Sequence, residues 1–478
     1  VSIIPFGKWA PDASDLAGDV VPDIDGVLPG PNCKLPWPGP VAAANPVGAT
    51  VYGAVYVKAY TYDEAFCGTA TALYKLNKST RVWEDVTNAS TTYSASAAAP
   101  WRFRVYNGDV IAVHAGAAPQ YFTLGSSTDF DDVANAPTGS LVEVWGDHLV
   151  IGGVTGTRNR VHASDINDKE TWSPLATNNA FLQDFADGGA IMGLSGSRSP
   201  LIVQERMLRR ATLVGGVSKV RFDTLANGVG TDFADSVVNY GNGIYMLGLD
   251  GFLRIDESGG IEPIGQNYVD DWVRDSESVR ASRRIIGCPD TRHRRVYWAL
   301  HYTSTTVPDT LIVYDIMRQE WSKATLNVYE LFQLPLGALI LDDIDTNLDD
   351  IDYSFDSPDN NFYVAAFDSD MKPSTFTGTP LAATIYTNQF PKRGGNRTRL
   401  QGAMPSIDTN AATVTVRKKD RRGDAFADGS TSVAVNDAGW CPLRDSGRYF
   451  RLKMDVPAGT TWTKAEGVEA YTQEEGVY

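Results

Sequence analysis

From about residue 51 onward, short runs of Val, Ile, Tyr, Phe and Trp alternate with polar residues and are broken by Gly, Asn and Asp. This period-two pattern predicts β-strands. Helical periodicity is scarce: the best candidate covers residues 267–273, two turns at most, and residues 204–210 can be read either way.

The strands recur as a unit. A tight turn followed by a strand of large apolar residues occurs at Asn107-Gly108, Gly146-Asp147, Gly196-Ser197, Gly241-Asn242, Asp290-Thr291 and Asn360-Asn361. Counted at Gly108, Gly146, Gly196, Gly241 and Asp290, the intervals are 38, 50, 45 and 49 residues, with a longer one after that. A second element follows, a strand that ends in Asn or Asp with a Trp six or seven positions on: Asn77 and Trp83, Asp165 and Trp172, Asp315 and Trp321. The expected sense is an outer strand whose Trp tucks under the next sheet. Four strands every 40–50 residues is the period of propeller blades, where each sheet buries its faces against its neighbours. The fold expected is therefore all-β, a β-propeller of six or seven blades over residues 51–378. Two ordinary sandwiches would space their strands more closely and lack the paired elements.

The flanks differ. Residues 1–50 are rich in Pro, Gly and Asp and read as an extended N-terminal arm, yet Trp9 and Trp37 would be wet if it dangled, so it is expected to pack on its own body or on a neighbouring subunit. Residues 379–478 lose the repeat. Their run from Tyr449 to Val456 alternates, with Phe450, Leu452, Met454 and Val456 on one face, which suits a C-terminal β-sandwich.

Charge sharpens the division. The chain carries 42 basic and 58 acidic side chains, a net charge of -16, which argues against a protein that grips phosphates over its whole surface. Residues 380–478 nevertheless hold 14 Lys+Arg against 11 Asp+Glu, so the surplus of acid lies in residues 1–379. Cys33, Cys67, Cys288 and Cys441 form no CxxC pair, which fits folding in a reducing cytoplasm. The N-terminal stretch shows no secretory signal pattern, and no run is apolar enough for a membrane span.

Candidate chemistry is sparse. His114, His148, His162, His293 and His301 form no HExxH pair, and GxSxG and GxxxxGK[ST] motifs are absent, so no catalytic, cofactor-binding or metal residue is nominated and no enzyme is expected. Residues 164–172 are similar to the Asp-box hairpin of sialidases, a structural turn. The acidic run 341–352 offers hard oxygen ligands but lacks the Gly and terminal Glu of an EF-hand loop, and reads as a solvated loop inserted in a blade or a partner-docking one. Two basic clusters remain: Arg280, Arg283, Arg284, Arg292, Arg294 and Arg295, and Arg417, Lys418, Lys419, Arg421 and Arg422. Each can meet phosphate or a partner's carboxylates, and these are the candidate subunit or DNA contacts.

The arm opening Phe6-Gly7-Lys8-Trp9, the stretches 20–30, 221–230 and 245–252, and the closing residues 411–416 and 441–449 together resemble the tail nozzle, or DNA stabilisation, proteins of short-tailed bacteriophages. The insertion at 342–352 and the long gap before Asn360 depart from that pattern. The resemblance implies a structural virion protein in the phage tail, assembled in the host cytoplasm. It also implies a homohexameric ring below portal and adaptor that contacts tail fibre, spike or needle proteins and carries double-stranded DNA without sequence-specific binding. An acidic wall suits such a duct, because several phosphate contacts per subunit would stall passage. The basic terminal segment is expected to meet an acidic face on the next subunit. The alternative is a glycan-binding or glycan-cleaving propeller, an adhesin or depolymerase.

Overall fold

The alternating segments form antiparallel strands almost throughout. A computed structural model describes residues 2–474, leaving out 60, 197–198, 216–218, 242, 283, 336–361, 392–395 and 432–433. The acidic run 341–352 and the Asn360 turn therefore lie outside the described residues, as does Arg283.

Seven four-stranded antiparallel sheets follow one another along the chain, over residues 51–85, 102–132, 139–184, 191–227, 238–263, 285–325 and 330–380. The first six are built in sequence order. The seventh takes its fourth strand from the other end of the chain, Pro38–Ala42, which pairs with Pro373–Pro380 in the register Ser374↔Ala42, Thr375↔Val41 and Phe376↔Pro40. Two prolines are tolerated there because an outermost strand needs hydrogen bonds on one side only.

Each sheet is apolar on both faces, and the buried clusters lie between sheets. Phe66 and Phe122 join the first and second, Ile111 and Ile151 the second and third, Val150 and Ile202 the third and fourth. Leu208 and Ile255 join the fourth and fifth, Phe252 and Trp298 the fifth and sixth, Tyr297 and Val364 the sixth and seventh. Phe367 packs with Cys67 and Trp83, returning to the first sheet. The result is a closed, β-propeller-like ring.

Tryptophans pin several seams, because a buried indole N–H needs an acceptor. Trp101 donates to the Thr69 carbonyl at 2.9 Å, Trp145 to Ser195 at 2.9 Å, Trp298 to Ser236 at 3.0 Å and Trp321 to Ile264 at 2.9 Å, each in a neighbouring sheet or the segment joined to it. Gly68 is required beneath Trp101: a Cβ there would lie 2.2 Å from the indole.

The expected turns at Asn107-Gly108, Gly146-Asp147 and Asp290-Thr291 join the first and second strands of their sheets. The Trp element needs correction. Trp83 and Trp321 do lie on fourth strands, but they pack on the preceding sheet, against Phe367 and Phe252 respectively. Trp172 lies in the segment before the fourth strand Phe181–Asp184, where it joins the cluster with the second sheet. Only two short helices interrupt the described strands, Asp270–Asp275 and Glu277–Ser282, beside one 3₁₀ turn; residues 267–269 precede the first.

Beyond the ring lie a six-stranded and a five-stranded sheet. Tyr449–Val456 sits within the second, with Phe450, Leu452, Met454 and Val456 buried as their alternation requires. Residues 2–36 are woven into both. Ser2–Pro5 pairs with Ala465–Glu474, Val27–Gly30 and Cys33–Pro36 extend the same sheet, and Ile24–Asp25 pairs with Ala383–Tyr386. Between these pairings the arm lies along the outer strand of the sixth sheet. Gly26 donates to the Lys323 carbonyl at 3.0 Å, the Thr325 amide donates to Asp25 at 2.7 Å, and Lys323 meets Asp23 at 2.8 Å.

Phe252→Ala, which empties the seam between the fifth sheet and Trp298 and Trp321 of the sixth, should cost about 3–5 kcal/mol in urea unfolding. Ile166→Ala, at a side chain 43% exposed, should stay within about 0.5 kcal/mol. Equal losses would contradict the seam assignment.

Candidate functional site

The first strand of every ring sheet faces one cavity. Its lining draws on Val51–Ala59, Arg102–Tyr106, Gly139–Trp145, Ile191–Leu194, Val238–Tyr240, Ile285–Asp290 and Glu330–Pro335, and its volume is about 350 Å³. A space touched by all seven leading strands is the axis of the ring.

The axis is neither empty of charge nor a basic tunnel. Arg284 pairs with Glu330 at 2.8 Å and lies 3.8 Å from Asp235. Arg102 bonds the other oxygen of Asp235 and donates to the Ser140 carbonyl at 2.6 Å. Arg104 pairs with Glu143 at 2.8 Å, and Asn239 donates to the Leu194 carbonyl at 3.2 Å. Three guanidiniums thus face three carboxylates contributed by different sheets, so the charges cross-link the ring from within. Burial pushes the Glu330 carboxyl up to about 7, with the nearby Arg284 opposing it.

The sequence-nominated cations divide between buried and exposed positions. Arg284 is in the axis, whereas Arg280 is exposed on Glu277–Ser282. Arg295 is buried against Asp315 at 3.2 Å and donates to the Pro29 carbonyl at 3.4 Å. Arg292 and Arg294 stand exposed on the first turn of the sixth sheet, Arg292 over the Tyr363 ring at 4.5 Å and Arg294 against the Met317 sulfur at 3.3 Å. In the terminal sheets Arg417 pairs with Asp428 at 2.8 Å and Lys418 with Asp445. Lys419 is buried, bonded to Asp15 of the arm at 3.0 Å and to the Arg422 carbonyl at 3.1 Å. Arg451 joins Asp15 at 2.7 Å, and both cations lie over the Phe426 ring. Burial opposes ionisation of Asp15, but bonds from Lys419 and Arg451 hold its carboxyl below the usual range. Of the terminal cluster, Arg421 and Arg422 are exposed, and the Arg422 guanidinium reaches the Tyr449 hydroxyl at 3.3 Å. Five of them, Arg284, Arg295, Arg417, Lys418 and Lys419, serve the fold by meeting carboxylates of their own chain.

The Asp-box-like hairpin is a braced turn. Asp165 accepts from the Ile166 and Asn179 amides, both at 2.8 Å, Asp168 accepts from Glu170 at 2.8 Å, and Trp172 donates to the Lys169 carbonyl at 2.7 Å. The histidines are scattered: burial pushes His114 down to about 4 beside Trp101, while His293 bonds Asp290 at 2.9 Å on an exposed turn. Among the described residues no group of three His, Cys, Asp or Glu side chains could hold a metal ion, and no helix is long and apolar enough to cross a membrane.

Sequence reasoning passed over Arg102, Arg104, Glu143, Asp235, Asn239 and Glu330. The signal was present: five of the six stand on the leading strand of a sheet, where a chain otherwise burying Val, Ile and Leu places a charge or an amide. Without the ring closed, those positions cannot be seen to converge.

No family model matches the chain, and no curated protein sequence matches it. Among solved structures it is similar to the extracellular domain of a putative one-component system from B. thetaiotaomicron, at 9% identity with a TM-score of 0.44. That alignment covers 82% of this chain and 47% of the other, so the chain spans about half the length of that structure.

A carboxyl with a raised pKa in the folded chain holds its proton more tightly there than when unfolded. Glu330 therefore lowers stability as pH rises from about 4.5 to about 7, with Arg284, Asp235 and Arg102 as the charges facing it. Glu330→Gln should flatten that fall in urea midpoints between these pH values, and an unchanged slope would contradict the assignment. Asp15→Ala, which leaves buried Lys419 and Arg451 without their carboxylate, should cost about 1–3 kcal/mol by chemical denaturation, a range reduced for the partial exposure of Asp15.

Proposed function

We propose that this chain is a structural subunit of the nozzle of a short bacteriophage tail. In this reading each four-stranded sheet is a blade, which gives a seven-bladed propeller, and the two terminal sheets form a C-terminal β-sandwich. Copies assemble into a homohexameric ring that extends the DNA-ejection channel below portal and adaptor and retains the packaged genome. Tail fibre, spike or needle proteins dock on it, and assembly takes place in the host bacterial cytoplasm.

The observation that carries this reading is the internal use of positive charge. Arg102, Arg104, Arg284, Arg295, Arg417, Lys418 and Lys419 each face a carboxylate of the same chain. The net charge of -16 must then be carried by the remaining, largely exposed groups. A surface of that sign repels a polyanion and lets it slide, as a duct requires. The ion pairs across each axis also leave no passage for a duplex through a single propeller, so the duct of this proposal is enclosed between subunits. Exposed cations such as Arg421, Arg444 and Arg448 remain for an acidic face of a neighbour.

Light scattering and negative-stain microscopy of the purified full-length chain test the proposal. Six-fold rings with an open centre are expected, and raised salt should shift them toward single copies. A protein that stays a single copy at all concentrations contradicts the reading. Shortening of a host surface polysaccharide incubated with the protein would replace it with the depolymerase alternative.

A further inference from the structure

The axial cavity holds unspent hydrogen-bonding capacity of both signs. Arg284 is 8% exposed, yet its Nε–H meets no hydrogen-bond acceptor, since Asp235 is 3.8 Å away. Across the same space the Asn239 side chain spends its amide N–H on Leu194 and Glu143, while its buried Oδ1 accepts nothing. A buried donor and a buried acceptor left open are costly, and native interiors fill such positions. The cavity volume of about 350 Å³ falls at the small end of the range of about 300–1,000 Å³ usual for small-molecule sites.

What fills it must both accept and donate. A halide can accept from Arg284 but offers nothing to Asn239. A bare cation offers no acceptor to the open Arg284 Nε–H. An anionic oxygen suits the open Nε–H of Arg284, since a guanidinium presents the planar N–H geometry that carboxylates match, and a hydroxyl suits Asn239 Oδ1. Apolar side chains such as Leu141 and Ile286 stand between the charges, and they favour an organic body over water alone. We propose that the axis of the ring is a binding site for a small hydroxylated carboxylate of the sugar-acid class, with Arg284 Nε–H donating to its carboxylate and Asn239 Oδ1 accepting from a hydroxyl.

The site needs one copy of the chain only, so it stands independently of the nozzle reading. The test uses the full-length protein and D-glucuronate as probe, followed by isothermal titration and ligand-observed NMR. Saturable binding is expected, weaker by at least about tenfold for D-glucose, which lacks the carboxylate, and for acetate, which lacks the hydroxyls. Asn239→Ala should weaken glucuronate about fivefold to tenfold while the chain stays folded by circular dichroism. Arg284→Lys, which keeps a cation for Glu330 but loses the Nε–H, should weaken it at least about tenfold. Absence of saturable binding, equal binding of the three probes, or unchanged affinity in both variants would overturn the proposal, leaving ordered water as the occupant. Six-fold rings indifferent to glucuronate would overturn this inference and leave the nozzle intact. A glucuronate-binding single copy would do the reverse.

Discussion

A four-stranded sheet that is apolar on both faces cannot stand alone in water, and this constraint organises the molecule. Each ring sheet covers one face with the sheet before it and the other with the sheet after it, so a linear series would always end in two wet faces. Closing the series removes both ends. Here the closure is made by Phe332 and Phe367 of the last sheet packing on Cys67 and Trp83 of the first, and by a strand borrowed from the beginning of the chain. The unequal lengths of the units are taken up in connections, some of which add side chains to the seams, as Trp172 and Val273 do.

The same closure gives the axis its character. Leading strands lie closest to one another, and their inward side chains meet whatever their neighbours present. Charges there are acceptable only in matched sets, because an unpaired buried ion is expensive. Arg104 with Glu143 and Arg284 with Glu330 satisfy that demand between neighbouring sheets, and Arg102 with Asp235 does so across the ring. The axis therefore ties the ring from inside while the apolar seams hold it from sheet to sheet.

Much of the architecture was legible before any coordinates, because the features that encode it are local. Turn residues such as Asn107-Gly108 and Gly146-Asp147 mark first hairpins, and period-two runs such as Tyr449–Val456 mark a strand and its buried face. What depends on distant residues was not legible. Nothing in Pro38–Ala42 announces Pro373–Pro380 as its partner, and two prolines argue locally against a strand at all. The direction in which Trp83 and Trp321 pack was missed for the same reason, since a tryptophan at the end of a unit does not say which neighbour it touches. The basic clusters looked like binding patches because sequence shows like charges side by side, while the carboxylates that neutralise several of them are brought alongside only by the fold, from the partner strand as with Asp428 for Arg417 or from the distant arm as with Asp15 for Lys419. The candidate axial site was least visible of all, being assembled from residues far apart in sequence that only the closed ring brings together.

The threading of the first forty residues through the terminal sheets and into the seventh sheet has a mechanical consequence. A load applied to the terminal sheets travels along the arm to Pro38–Ala42, whose hydrogen bonds to Pro373–Pro380 run perpendicular to the strand direction. Those bonds are then sheared together and do not open one after another, so tension arriving from that side is met by several bonds at once. Failure under such force would begin by unlatching the circle, and the sheets would part only after it.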